Sequence, residues 1–144
     1  KLKQIHDNKL LFISRGDDSG THRKETEMWL KSNLEINDKL DWYFSVGQGM
    51  GSTLLITNEK RGYTLSDRST WIAFNNKDNL KIVCENLPPL FNQYGITLVI
   101  PARCPNVKSN IANKFIKWLT SSEGQNKIKA FKVKGEQLFF PNAN

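Results

Sequence analysis

Leu10-Leu11-Phe12-Ile13-Ser14-Arg15-Gly16-Asp17-Asp18-Ser19-Gly20-Thr21-His22 is an apolar run that ends in a turn of acids, hydroxyls, glycines and one arginine. Consecutive apolar residues bounded by turn formers read as a short buried strand, Leu10 to Ser14. Ser19 to Leu34 reads as a helix, with Met28, Trp29 and Leu30 on its apolar side. A strand therefore feeds a helix through a turn suited to a small anion. The first-turn N–H groups of a helix have no partner inside it, and the helix dipole favours negative charge at that end. Gly20 allows close backbone approach, Ser14, Ser19 and Thr21 add hydroxyl donors, and Arg15 adds a planar charged fork. Simple capping by Asp18 or Ser19, with Glu25 or Glu27 favouring the dipole, accounts for the same residues apart from Arg15. On the residues alone both readings stand.

Working outward, strand and helix alternate. Trp42 to Ser45 reads as a short strand and Gly47 to about Arg61 as a helix whose apolar positions include Met50, Leu54 and Leu55, with Gly62 ending it. Tyr63 to Ser66 reads as another strand, and Asp67 caps a helix through Phe74 with Trp71, Ile72 and Phe74 facing inward. Lys81 to Cys84 and Tyr94 to Ile100 have strand character, the latter closed by Pro101. Val107 to Leu119 is amphipathic, with Ile111, Phe115, Trp118 and Leu119 on one face. Ser121 or Ser122 caps a helix through Phe131, and Leu138 to Phe140 reads as a short terminal strand. This alternation predicts an α/β fold with a central mixed sheet flanked by helices.

The composition narrows the function. The 144 residues carry a net charge of +7, with 38% hydrophobic and 24% charged residues, the profile of a globular domain with one ordinary core. No apolar run is long enough to cross a membrane. The positive charge suits an anionic partner, but the lysines are spread and no zinc-finger or RNP-like motif occurs, so nucleic acid is not expected as a partner. Cys84 and Cys104 lack metal-ligand spacing, so neither a metal site nor a cofactor is expected. Cys84, after Ile82 and Val83, reads as a buried free thiol.

Gly47-Gln48-Gly49-Met50-Gly51-Ser52 misses the dinucleotide fingerprint, because Ser52 stands where its last glycine belongs. It reads either as a packing turn or as a second helix start, at Gly49, aimed at the same anion. Ser66-Asp67-Arg68 again joins a strand to a helix; Arg68 reaches an anion or pairs with Asp67, Asp17 or Asp18. Ser19 and His22 lack the orienting partner and elbow of a nucleophilic site, so the chain is not expected to be an enzyme.

The string Phe12 to His22 resembles the anion-binding turn of periplasmic phosphate-binding proteins and, at its full length, that of the tungstate-binding proteins of bacterial ABC importers. Gly47-Gln48-Gly49-Met50-Gly51, Tyr63-Thr64-Leu65-Ser66-Asp67-Arg68 and Gly135-Glu136-Gln137-Leu138-Phe139-Phe140-Pro141 are similar to further segments of that family, in the same order. The resemblance implies a type II periplasmic-binding-protein fold. Residues 1–92 would form the second, anion-binding lobe, and residues 93–144 the return strand and C-terminal helices that pack on a first lobe. It implies a tetrahedral oxyanion as ligand, tungstate first and molybdate next, held by Ser14, Arg15, Ser19, Gly20, Thr21 and Arg68, with Gly49 and Ser66 as further candidates. It also implies an ABC permease as partner and a periplasmic or extracytoplasmic location. In phosphate binders the aspartate at the Asp17 position accepts a proton-borne hydrogen bond from the ligand; tungstate carries no proton at neutral pH, so at Asp17 that role lapses or becomes a selectivity filter. Family members carry a Thr-Thr-Thr-Ser run in the first lobe. No such run occurs in this sequence, which therefore resembles the C-terminal half alone. The alternatives from other classes are an effector-sensing domain of a transcription regulator, a phosphate- or sulfate-binding protein, and a basic nucleic-acid module.

Overall fold

The computed structural model describes residues 1–143. The chain divides into two compact units, Lys1–Phe91 and Asn92–Asn144. In the first, α1 (Leu2–Asp7) precedes β1 (Phe12–Ser14), α2 (Gly20–Lys31), β2 (Tyr43–Ser45), α3 (Met50–Lys60) and α4 (Arg68–Ala73). β1 and β2 pair in parallel, with Phe12 opposite Tyr43 and Ser14 opposite Ser45, and a parallel bridge joins Phe12 to Tyr63 on the other side of β1. Each of these three extended segments leads into a helix. Because the strands run the same way, the three strand-to-helix turns leave the sheet at one end, where ligands bind in open α/β sheets.

The core explains why β1 is continuous apolar sequence. Phe12, Ile13 and Ser14 are all buried, as expected for a strand covered on both faces. Ile5, Phe12, Trp29, Trp42 and Tyr43 form one cluster, with Leu2, Leu34, Ile36 and Leu40 packed around it. Its rings meet edge to face or stacked: Phe12 to Trp29 at 5.2 Å between centroids, Trp29 to Trp42 at 6.0 Å. On the other side Met50, Thr53, Leu54 and Thr57 bury the inner face of α3, and the Thr57 hydroxyl donates to the Thr53 carbonyl at 2.6 Å.

Several local expectations are corrected here. α2 buries Glu25 and Trp29, one turn apart, whereas Leu30 is 79% exposed. Leu55 likewise faces out of α3. Arg61, not Gly62, takes the left-handed conformation that ends α3, with φ of 51°. Gly62 is needed for a different reason: a Cβ there would lie 3.0 Å from the Leu11 carbonyl oxygen, where the chain returns alongside β1. Tyr63 to Ser66 makes one bridge instead of a full strand. Lys81 to Cys84 joins no ladder among the described residues, and Cys84 is exposed, as is Cys104; both are free thiols.

In the second unit α5 (Ser109–Leu119) and α6 (Ser122–Ala130) are followed by a small antiparallel hairpin, β3 (Lys132–Val133) with β4 (Glu136–Gln137). Ser121 caps α6 by accepting from the Gly124 amide, and a Cβ at Gly124 would overlap the Trp118 carbonyl, so the α5–α6 corner requires glycine. α5 forms where its periodicity predicts, but Ile111 and Phe115 on its apolar face are 64% and 53% exposed. Tyr94 to Ile100 and Leu138 to Phe140 join no ladder among the described residues. Strand propensity becomes a strand only when a neighbouring edge supplies amides and carbonyls.

Candidate anion-binding site

The turn after β1 is built from the inside. Gly16 takes φ of +61°, and a Cβ on it would sit 2.9 Å from the Ser45 Cβ, so only glycine lets the β1 turn pass the end of β2. The Gln48 amide donates to the Arg15 carbonyl at 3.3 Å, and the Val46 amide to the Ser14 carbonyl at 3.0 Å. The turns leading into α2 and α3 are therefore hydrogen-bonded to each other.

Ser19 caps α2, its hydroxyl accepting from the His22 amide at 3.3 Å. The Ser19 amide donates to Asp17 Oδ1 at 3.2 Å. That leaves Gly20 and Thr21 as the first-turn amides that donate to no group among the described residues. A Cβ at Gly20 would meet nothing within 4 Å, so packing does not demand glycine there. α3 opens in a similar way. Its N-cap, Gly49, has no side chain to cap with, and the amides of Met50, Gly51 and Ser52 donate to no described group.

Arg15 lies at this end of the sheet. Its Nε is buried 2.8 Å from Asp17 Oδ2, an ion-pair distance without the alignment of a hydrogen bond. The side chain keeps 21% of its surface exposed. Asp17 thus takes the Ser19 amide and flanks Arg15. Hydrogen bonding from Ser19 holds its carboxyl below the usual 3.8, with a smaller pull from Arg15. Asp18 turns away and pairs with Arg23 at 2.8 Å.

Other expected residues sit differently. Ser14 is fully buried, and its hydroxyl donates to Glu25 Oε2 at 2.7 Å. Arg68 pairs with Glu85 at 2.7 Å, an acid outside the set considered from the sequence. The Ser66 hydroxyl donates to the Asp67 carbonyl at 3.0 Å. Asp67 caps α4 by accepting from the Thr70 amide at 2.8 Å and its hydroxyl at 2.7 Å. Burial alone would raise the Asp67 carboxyl, but the hydrogen bonds from Ser69 and Thr70 outweigh it and hold it below 3.8. His22 is half-buried, and its Nδ1 accepts the Asp18 amide at 2.9 Å. It contacts Ser19 through its backbone amide, so the pair has the geometry of a cap and a turn brace.

Glu25 is the residue that sequence reasoning placed wrongly. Instead of serving the dipole from the surface, it lies beneath the turn, 3% exposed. It accepts from Ser14, from the Tyr43 hydroxyl at 2.8 Å and from Trp29 Nε1 at 3.2 Å. Burial pushes its carboxyl above 4.5, and the three donors oppose that rise. The available signal was its place one turn before Trp29, on the same helix face.

The order of turns, caps and parallel strands is matched by a family. Residues 1–123 fit the model of the PBP superfamily domain. The chain belongs to the PBP superfamily. As a PBP superfamily domain it is similar to the tungstate-binding protein TupA of Peptoclostridium acidaminophilum, with 41% identity over 144 residues, covering 99% of this chain and 50% of that protein. Among solved structures it is similar to the tungstate-binding protein TupA from Desulfovibrio alaskensis G20. There the TM-score is 0.86 and the identity 42%, covering 99% of this chain and 59% of the other. It is also similar to the tungstate ABC transporter structure from Geobacter sulfurreducens, with a TM-score of 0.74 and 40% identity, covering 90% of this chain and 54% of the other. The chain spans about half the length of the curated relatives it matches.

Proposed function

We propose that this chain supplies one wall of an extracytoplasmic binding site for a tetrahedral oxyanion, tungstate first and molybdate next, in the solute-binding component of an ABC importer. The observation that carries the reading is that Asp17 lies 2.8 Å from Arg15 and accepts the Ser19 amide at the start of α2, where the Gly20 and Thr21 amides donate to no group among the described residues. The hydroxyls of Ser19 and Thr21 stand on the same turn, and the uncapped start of α3 at Gly49 adds a second positive helix end hydrogen-bonded to it. Two relatives named for binding tungstate support the choice of ligand. The site binds and does no chemistry. Ser14, Ser66 and Arg68 act behind the turn or on neighbouring elements, through the contacts described above.

Residues 93–144 pack, in this reading, on the first lobe that completes the cleft. Support comes from the exposed apolar face of α5 and from Tyr94, Val99 and Ile100, which are exposed on an extended segment. One wall alone binds weakly: two charge-assisted hydrogen bonds at about 1.5–3 kcal/mol each correspond to affinities from roughly millimolar to tens of micromolar. Selectivity for tungstate over sulfate, a smaller dianion of the same shape, then comes from the size of the closed cleft.

An amide-resolved NMR titration of the chain with sodium tungstate, molybdate, sulfate and phosphate tests this. The expected result is saturable shifts of the Gly20 and Thr21 amides with tungstate and molybdate. Phosphate as the tightest ligand contradicts the assignment of the oxyanion, and no shift at either amide contradicts the site.

A further inference from the structure

One carboxylate joins three of the elements that carry the site. Glu25 reaches from α2 to Ser14, the last residue of β1, and to Tyr43, the first residue of β2, while also receiving the Trp29 indole N–H. Burying a carboxylate is costly unless hydrogen bonds compensate it. A negative charge beneath a turn that is to receive an anion adds an adverse Coulomb contribution. Packing alone would be served by a neutral side chain at this position. What only a carboxylate supplies is two oxygens that accept and never donate, matched to two hydroxyls and an indole N–H.

The consequence falls on Ser14. Its hydroxyl hydrogen is committed to Glu25 and its carbonyl to the Val46 amide, so the residue is clamped on both sides. Arg15 follows directly. Arg15 is the next residue along the chain, so the clamped Ser14 backbone sets the direction from which its side chain leaves. A peptide rotation at Ser14 would swing the guanidinium away from the α2 start.

We propose that Glu25 is a positioning residue for oxyanion binding, acting through Ser14 to set the direction of Arg15. Ser14 is accordingly a strut and not a ligand donor. This inference rests on the oxyanion reading above. Glu25→Gln puts an amide NH2 among groups that need acceptors, so a hydroxyl or the side chain must turn.

The test measures tungstate affinity of the chain by the same NMR titration, for wild type, Glu25→Gln, Ser14→Ala and the double variant, with melting curves recorded for each. Glu25→Gln and Ser14→Ala are each expected to weaken tungstate binding about tenfold. The double variant is expected to lose no more than either alone, because both break one linkage. Ile72→Val, a core change in α4, is expected to lower stability while leaving affinity within about twofold, which separates loss of stability from loss of positioning. If Glu25→Gln does not fold, Ser14→Ala carries the same expectation. Wild-type affinity in Glu25→Gln, or in Ser14→Ala, overturns the proposal, as do losses that add in the double variant. A wild-type chain that binds none of the oxyanions overturns the functional reading, and this inference falls with it. Binding by wild type that is untouched in the variants overturns this inference alone.

Discussion

Replacing Arg15 with alanine is expected to weaken tungstate binding by about ten- to a hundredfold, the equivalent of one lost charge-assisted hydrogen bond. The loss has two parts. The guanidinium fork disappears, and Asp17, whose Oδ2 lies 2.8 Å from Arg15 Nε, keeps its charge beside the anion without the flanking cation. The fold should change little, because Arg15 belongs to no part of the buried apolar cluster. The melting curve should therefore shift far less than the affinity. Arg15→Lys keeps the charge but not the planar fork, and is expected to fall between the two. The titration that follows the Gly20 and Thr21 amides measures all three proteins. An Arg15→Ala chain that binds as wild type would remove Arg15 from the site.

The largest expected effect on stability is at Trp29. It has no exposed surface and packs edge to face on Phe12 and Trp42. Removing a buried tryptophan costs about 3–5 kcal/mol, a large share of the roughly 5–15 kcal/mol that holds a domain folded. Trp29→Ala also strands the Glu25 carboxylate with one donor fewer. The expectation is a chain largely unfolded at physiological temperature, read by circular dichroism and by collapse of amide dispersion. A Trp29→Ala chain melting close to wild type would mean that this cluster is not what holds β1, β2 and α2 together.

What could be read from the sequence was what is encoded locally. Ser19 and Asp67 each accept amides from their own helices, and Gly16 with its positive φ sits within the same short string. Caps and turns of this kind depend on a few neighbouring residues, so sequence suffices to place β1, α2, α3 and α4. The extended runs behaved differently. Tyr94 to Ile100 carries the β-branched residues of a strand, yet forms no ladder among the described residues, because pairing depends on an edge from elsewhere. Arg68 was open to several acids, and Glu85, seventeen residues on, is a choice that local spacing cannot make. Glu25 was misplaced for a similar reason. A glutamate early in a helix is favourable at the surface through the dipole, and only the tertiary packing that brings Ser14 and Tyr43 against it turns the residue inward.

The association of an acidic strut with an anion site has a consistent electrostatic logic. Asp17, Asp18 and Glu25 all lie within or beside the turn, but each has a partner: Arg15, Arg23, and the donors on Ser14, Tyr43 and Trp29. The Asp17 and Asp18 charges are therefore offset locally, and Glu25 is held beneath the turn by neutral donors, leaving the first-turn amides of α2 and the guanidinium to face the guest. The chain's net charge of +7 adds a diffuse attraction for any anion, which salt screens over about 10 Å at 0.1 M. Binding that persists at high salt would accordingly mark the specific site.

The most direct measurement is tungsten anomalous scattering from crystals of the chain soaked in sodium tungstate. The account predicts one dominant peak at the start of α2, with oxyanion oxygens about 2.8–3.0 Å from the Gly20 and Thr21 amide nitrogens and from the Arg15 guanidinium. Peaks confined to surface lysines such as Lys127 and Lys129, with none at that turn, would contradict it.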